Sequence, residues 1–425
     1  MTNYEKTPQT TGLIFGENIG AFGIGAATAL LEQNISVSII VAYGTGVLDA
    51  MLFAGRDIPA MRTAWENTDI FNAIFAKTAQ LANRFVSDWG GMSSTVREAA
   101  TEAALNEPDA LKIKADLRQI FDEEAIRSSD VNIVIMTCPE NESKAKLIPV
   151  SDIPKGKLID YILRAVTLPT LISDRQGRYH RRYPEEIGLH YLSEAGMANV
   201  ITVGLPEALP CPRYMHRVII ESSEYLDVTF ENTKENIVRE ITLGRLDAMK
   251  ALGLLEGHDY YIDPVGAHTV FDALVDALDK HPVPLTDNVD DKADVMPNML
   301  KLLRQTAYSL APNSMLSLLE IVAKQSGVKR LIVYSPDGFI AAILDALERA
   351  IRQYHVFLSP GNDLLKTYFH PDESDKHIPK FCLAYVLFIR EKNNLSANDK
   401  AAVLREMTAE ERLALFMVIN IHHLF

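Results

Sequence analysis

Cysteine is scarce in this chain. There are three in 425 residues, Cys138, Cys211 and Cys382, far apart and without metal-ligand spacing. That pattern excludes a disulfide framework and a zinc ribbon, and it reads as reduced thiols in a cytosolic setting with no metal. Long apolar runs are also missing. No stretch approaches the roughly 20 residues a membrane-spanning helix needs, so a transmembrane protein is not expected. The opening MTNYEKTPQTTG lacks the apolar core of a secretion signal. Positive charge is in deficit: 42 Lys and Arg stand against 56 Asp and Glu, a formal net charge of −14. The imbalance argues against nucleic acid or an anionic membrane surface as the main partner. No internal repeat or low-complexity tract appears. What remains, 48% hydrophobic and 23% charged, is the composition of a globular protein long enough for a large core and a second, smaller domain. The expected location is the cytoplasm; an exported effector without a cleaved signal would share these features.

The densest local information lies in Gly12–Gly55, GLIFGENIGAFGIGAATALLEQNISVSIIVAYGTGVLDAMLFAG. Leu13–Phe15 and Val37–Val41 are short apolar runs rich in branched residues and read as strands. Ala26–Gln33 and Val47–Phe53 are rich in Ala and Leu and read as helices. Gly16, Gly20, Gly23 and Gly25 crowd the first strand-to-helix turn, and Ala42–Gly46 makes a sharp second one. Two such units in succession open an α/β fold with a largely parallel sheet.

This stretch resembles the opening of the patatin-like phospholipase family. There a glycine-rich oxyanion loop follows the first strand, and a Gly-x-Ser-x-Gly elbow carrying the nucleophile follows the second. The resemblance puts the oxyanion loop on Phe15-Gly16-Glu17-Asn18-Ile19-Gly20 and the elbow on Ala42-Tyr43-Gly44-Thr45-Gly46. The helix after the elbow ends at Ala54-Gly55, as the family's does. The resemblance implies a three-layer α/β domain with a mostly parallel central sheet, over residues 10–260, and no cofactor. The chemistry departs from the family in three places. The nucleophile position is Gly44, which has no side chain. Glu17 and Asn18 interrupt the glycine run, and a carboxylate beside an oxyanion hole opposes developing negative charge. The family's Asp-Gly-Gly motif is absent. In its region, Ser173-Asp174-Arg175-Gln176-Gly177-Arg178-Tyr179, two registers are open. Either Asp174 is the family aspartate, with Arg175 and Gln176 replacing the glycines, or Asp174–Gly177 is a hairpin turn and the aspartate position falls near Arg181. The second fits the residues leading into the motif better.

Further along, Val131–Thr137 reads as a buried strand, Lys157–Pro169 as a helix ending at proline, and Ala195–Val203 as helix end, glycine and strand. Residues 261–295 read as a linker containing the acidic run Asp287–Asp294. Residues 296–425 read as a mostly helical C-terminal domain, with a strand at Arg330–Tyr334, a helix at Phe339–Arg352 and a capping box at Thr408–Glu411.

Other candidate residues carry less. Thr45 is the hydroxyl nearest the elbow, but a shift of one residue re-aims the side chain, so helix capping is its expected role. Ser335 is likewise read as a cap. Arg175, Arg178, Arg181 and Arg182 form a basic cluster in an acidic chain, either plain surface charge or an anion-binding lip. The adjacent His422 and His423 point to different faces of a helix, which does not suit a metal. The glycine spacing near Gly20–Gly25 is loosely similar to the dinucleotide loop of short-chain dehydrogenases. No acid ends the second strand to hold a ribose, however, and no tyrosine has a lysine four residues on. The expectation is therefore a catalytically degenerate patatin-like protein that binds a lipid or acyl ligand, or a protein partner through its C-terminal domain. The alternative is an active lipid acyl hydrolase with a rearranged site. An engineered replacement at Gly44 suits the three separate departures less well.

Overall fold

The computed structural model describes residues 11–424 apart from 18, 89–92, 138–145, 168–183, 206–208, 225, 227–232, 268–271, 273–275, 277–294, 310, 312, 358–380, 382–383 and 386–401. The chain forms two compact units, Met1–Leu252 and Gly253–Phe425. Tyr260 and Ile262, at the sequence-drawn junction of first domain and linker, are buried in the core of the second unit. The acidic run 287–294 lies outside the described residues.

Among the described residues the first unit is built on six strands: β1 (Thr11–Phe15), β2 (Val37–Ala42), β3 (Asn132–Thr137), β4 (Lys146–Pro149), β5 (Asn199–Val203) and β6 (His216–Ile220). Their order across the sheet is β4-β3-β2-β1-β5-β6, parallel throughout except for β4. Helices connect them: α1 (Phe22–Glu32), α2 (Gly46–Ala54), α3 (Ile58–Glu66), α4 (Thr68–Ser87), α5 (Ser94–Ala104), α6 (Pro108–Ile120), α7 (Glu123–Arg127), α8 (Leu158–Thr167), α9 (Pro184–Glu194) and α10 (Lys234–Ala251). The strands are apolar on both faces because both are covered. Ile14, Val41, Val134 and Val200 pack with Leu189 and Leu192 of α9. The alternate residues, such as Phe15, face the opposite layer, where the Phe15 and Phe53 rings meet edge to face at 6.3 Å. The result is a three-layer α/β fold with a mostly parallel central sheet.

The expected elements of Gly12–Gly55 are all present, with the first helix starting four residues early, at Phe22 rather than Ala26. The early start brings Gly25 to the crossing with α10, where a Cβ would fall 2.1 Å from the Ile241 carbonyl oxygen. Only a residue without a side chain allows that approach. Helices α4 to α6 and α8 are tied by ion pairs that include a buried ammonium: Lys77 Nζ lies 2.7 Å from Glu107 and 3.0 Å from Asp109. Lys114 pairs with Asp160 at 2.7 Å, and Arg164 pairs with Glu102.

The second unit contains β7 (Tyr261–Ile262), α11 (Val295–Leu303), α12 (Ser314–Gln325), β8 (Val333–Tyr334), α13 (Pro336–Phe357) and α14 (Ala409–Leu424). Its core joins Leu318, Leu319 and Val322 of α12 to Leu413, Phe416 and Met417 of α14. The glutamate in that helix, Glu320, is 1% exposed. Its carboxylate accepts the backbone N–H groups of His258 (2.7 Å), Asp259 (2.9 Å) and Tyr260 (2.8 Å). The strand expected over Arg330–Tyr334 is a correction. Only Val333 and Tyr334 pair, parallel to β7, because Leu331 takes a left-handed φ of 55° that breaks the extended run. The helix expected at Phe339–Arg352 extends over Pro336–Phe357. The Ser335 hydroxyl caps it, accepting from Gly338 N–H at 3.1 Å.

The capping box at Thr408 is formed in both directions. Glu411 N–H donates to Thr408 Oγ1 (3.2 Å) and Thr408 N–H donates to Glu411 Oε2 (2.8 Å). Thr408→Ala is expected to cost about 1 kcal/mol in urea unfolding, the usual value of an N-cap hydroxyl.

Candidate functional site

The sheet order places β1 between β2, which follows it in the chain, and β5, which comes much later. Beyond the carboxyl ends of such strands lies the crevice where open α/β sheets bind ligands. Two segments meet there: the loop Gly16–Ala21 after β1 and the turn Tyr43–Thr45 after β2. Tyr43 N–H donates to Phe15 O at 3.1 Å, and Gly16 N–H donates to Val203 O at 2.9 Å, so both segments are anchored on neighbouring strand ends. A Cβ on Gly46 would fall 2.5 Å from the Gly16 carbonyl oxygen, which shows how closely the turn sits against the loop.

Gly44 is the apex of the turn, with φ +49°. All five residues Ala42, Tyr43, Gly44, Thr45 and Gly46 are buried. The space where a side chain at position 44 would begin is taken by Glu17. A Cβ built on Gly44 lies 2.6 Å from Glu17 Cγ and 3.3 Å from its Oε1. Tyr43 turns the other way, against α9, where a Cβ on Gly188 would lie 1.9 Å from the Tyr43 hydroxyl.

Thr45 is a correction to the sequence expectation: it caps nothing. An N-cap residue needs an extended backbone to bring its hydroxyl onto the first free N–H groups. Thr45 already has helical angles (φ −65°, ψ −25°), because the reversal is made one residue earlier, at Gly44. The N–H groups of Gly46, Val47 and Leu48 instead donate to the carbonyls of Tyr43, Gly44 and Thr45. The Thr45 hydroxyl is left buried without a hydrogen-bond partner.

The glycine loop is met by carboxyl groups of the chain itself. Ala21 N–H, at the head of α1, donates to Glu240 Oε2 of α10 at 3.2 Å. Gly20, with φ +52°, lies beneath the same carboxylate. On the next turn Asp49 Oδ2 approaches Gly23 so closely that a Cβ there would be 2.0 Å away. Asp49 is wholly buried; its Oδ1 accepts the Trp65 indole N–H at 2.9 Å, and its Oδ2 has no hydrogen-bond partner. Burial pushes the Asp49 carboxyl well above the usual carboxylate range. The Trp65 hydrogen bond pulls the other way, and the Glu240 charge adds to the rise. An external phosphate or oxyanion at the head of α1 would meet carboxyl groups already in place.

Asp49, Trp65 and Glu240 are absent from the sequence-derived candidates. Asp49 carries a usable signal, a lone acid in the otherwise apolar helix GVLDAMLFA, whereas Glu240 and Trp65 carry none. Asn18, Asp174, Arg175, Arg178, Arg181 and Arg182 lie outside the described residues, as do the side chains of His422 and His423. Cys211 is a free, half-buried thiol whose pKa burial raises against the opposing charge of Arg217. Among the described residues no cluster of three or more His, Cys, Asp or Glu is placed to hold a metal, and no helix is long and apolar enough to cross a membrane.

Fold and site together define an α/β protein with a strand–turn–helix elbow at the switch point of its sheet. No family model matches the chain, and no curated protein matches it. Solved structures do resemble it. The type III effector protein ExoU is 14% identical, with 93% of this chain and 77% of that one covered and a TM-score of 0.34. VipD from Legionella pneumophila is 13% identical, with 97% and 92% covered and a TM-score of 0.30. Full-length ExoU in complex with SpcU, from Pseudomonas aeruginosa, is 13% identical, with 96% and 77% covered and a TM-score of 0.25. Values this low assign neither an activity nor a partner to the chain.

Proposed function

We propose that this chain is a catalytically degenerate patatin-like protein that acts by binding, with a lipid or acyl ligand or a protein partner, and not by hydrolysing esters. The observation that carries this reading is Gly44 at the apex of the elbow with Glu17 filling the space of its missing side chain. Acyl transfer at an elbow needs an activated hydroxyl and backbone N–H donors aimed at the developing oxyanion. Here the apex has no hydroxyl, and Gly16 N–H and Ala21 N–H are spent on Val203 O and Glu240. A protein partner is assigned to the C-terminal unit, and the place of action to a cytoplasm, either the producing cell's or that of a cell receiving an exported effector.

Purified protein is expected to turn over neither short-chain p-nitrophenyl esters nor phospholipid vesicles above a buffer blank. Turnover that survives Gly44→Ala and is blocked by a covalent serine-hydrolase inhibitor would mean that the chain is an active hydrolase with its nucleophile elsewhere.

A further inference from the structure

The first turn of α1 is bracketed by two carboxyl groups from different helices. Glu240 of α10 accepts Ala21 N–H, and Asp49 of α2 presses its unpartnered Oδ2 against Gly23. Glu240 occupies an N–H of the glycine loop, as described above, and Asp49 takes no part in that contact. Two facts of geometry make the arrangement specific. Gly23 has no side chain where Asp49 sits, and Asp49 is held in place from behind by the Trp65 indole of α3. Among the described residues, no cation of the surrounding elements acts on Asp49. Strands β1, β2 and β3 carry no titratable residue. Of the charged groups on α3, Arg62 and Glu66 pair with each other. On α8, Asp160 pairs with Lys114, and Arg164 with Glu102. On α1, Glu32 pairs with Arg245 of α10. Asp247 of α10 accepts from Ser223 N–H. Glu240 is the charged group that acts on Asp49, and it has the same sign.

We propose that Asp49 and Glu240 form a proton-operated latch beneath the loop Gly16–Ala21. With Asp49 protonated, one negative charge faces the head of α1, where the helix dipole favours it. Loss of that proton places a second, buried charge beside the first. The two carboxylates then repel across Gly23 and loosen the loop that carries Glu17 over Gly44. The latch is closed in acid and released as the pH rises.

The sign follows from linkage. A carboxyl that ionises less readily in the fold than in the unfolded chain makes the native state bind more protons, so stability falls as pH rises from the unfolded value upward. Paired surface carboxylates such as Glu107 act in the opposite sense and at lower pH. The test compares the full-length protein with Asp49→Asn, which keeps an oxygen for Trp65 and removes the charge. Melting temperatures are measured from about pH 5 to about pH 9. The wild-type melting temperature is expected to fall by about 5 °C more than that of Asp49→Asn over this range. A second readout uses Trp65 itself, one of two tryptophans, in a Trp89→Phe background. Its emission should shift with pH in the wild type and stay flat in Asp49→Asn. Glu240→Gln removes the like charge, so its pH-dependent loss should be shallower than wild type. That variant decides the matter if Asp49→Asn does not fold. Equal pH dependence in wild type and Asp49→Asn, or an unchanged slope in Glu240→Gln, would overturn the latch.

Discussion

Gly44→Ser is expected to yield a less stable protein that still turns over no ester. The substitution puts a hydroxyl at the apex of the elbow, where an acyl hydrolase would carry one. It meets two obstacles on the way. The backbone at position 44 is left-handed, with φ +49°, which costs a residue with a Cβ about 1–2 kcal/mol. The new Cβ also lies 2.6 Å from Glu17 Cγ, an overlap that forces the Glu17 side chain or its loop to move. Overpacking of this kind adds about 1–3 kcal/mol, so urea unfolding should register a total loss of about 2–5 kcal/mol. Activity should remain at the blank, because a hydroxyl without a base and oxyanion donors lacks elements worth about 3 kcal/mol each. Adding Glu17→Gly should recover the overlap part of the stability and leave the left-handed cost, and a double-mutant cycle separates the two. Robust esterase activity from Gly44→Ser alone would mean that a base is already in place, with Asp174 the first to test.

The second large effect belongs to the other unit. Glu320→Ala is expected to cost about 3–5 kcal/mol, the range for removing one partner of a buried, charge-assisted set. Three successive backbone N–H groups converge on its carboxylate, those of His258 and Asp259 part-buried and that of Tyr260 buried, and all three would lose their acceptor. Glu320→Gln keeps an acceptor oxygen but directs an amide toward the same donors, so its loss should fall between wild type and alanine. Urea unfolding followed by circular dichroism checks the order. A Glu320→Ala protein as stable as wild type would show that the 258–260 segment finds other acceptors.

The parts of the molecule legible in the sequence are those set by local chemistry. A branched apolar run before Ala42 and an Ala/Leu-rich run after Gly46 fix strand, turn and helix at β2 and α2, and glycine at 44 marks where the backbone must reverse. The Thr408–Glu411 box is equally local and equally readable. What stays hidden is set by residues far apart in the chain. Glu17 and Gly44 are brought together by strand pairing, and nothing near either residue announces that one fills the space of the other. Asp49 is intermediate: an acid alone in an apolar helix tells that it is buried, but not that Glu240, on a helix about 190 residues later, shares its helix head. Thr45 shows how local reasoning fails at a turn. The capping preference is correct for an extended residue, and the left-handed step at Gly44 makes Thr45 helical instead. Arg330–Tyr334 fails for a similar reason, since its composition suits a strand and one left-handed residue, Leu331, limits it to two paired positions.

The ends of the central sheet bear on how the protein behaves in concentrated solution. An outer strand with free N–H and C=O groups is a template on which another chain can add. Among the described residues the outermost strand on one side, β4, is four residues long, begins with Lys146 and ends with Pro149, and runs antiparallel to β3. Proline offers no N–H and lysine resists burial, so this margin gives an incoming strand little to hold. On the opposite margin of the described sheet β6 opens with the exposed, bulky, polar His216, which hinders a flat, dry junction of two sheets. At both margins of the described strands, strand-by-strand stacking into fibres is disfavoured by the residues placed there.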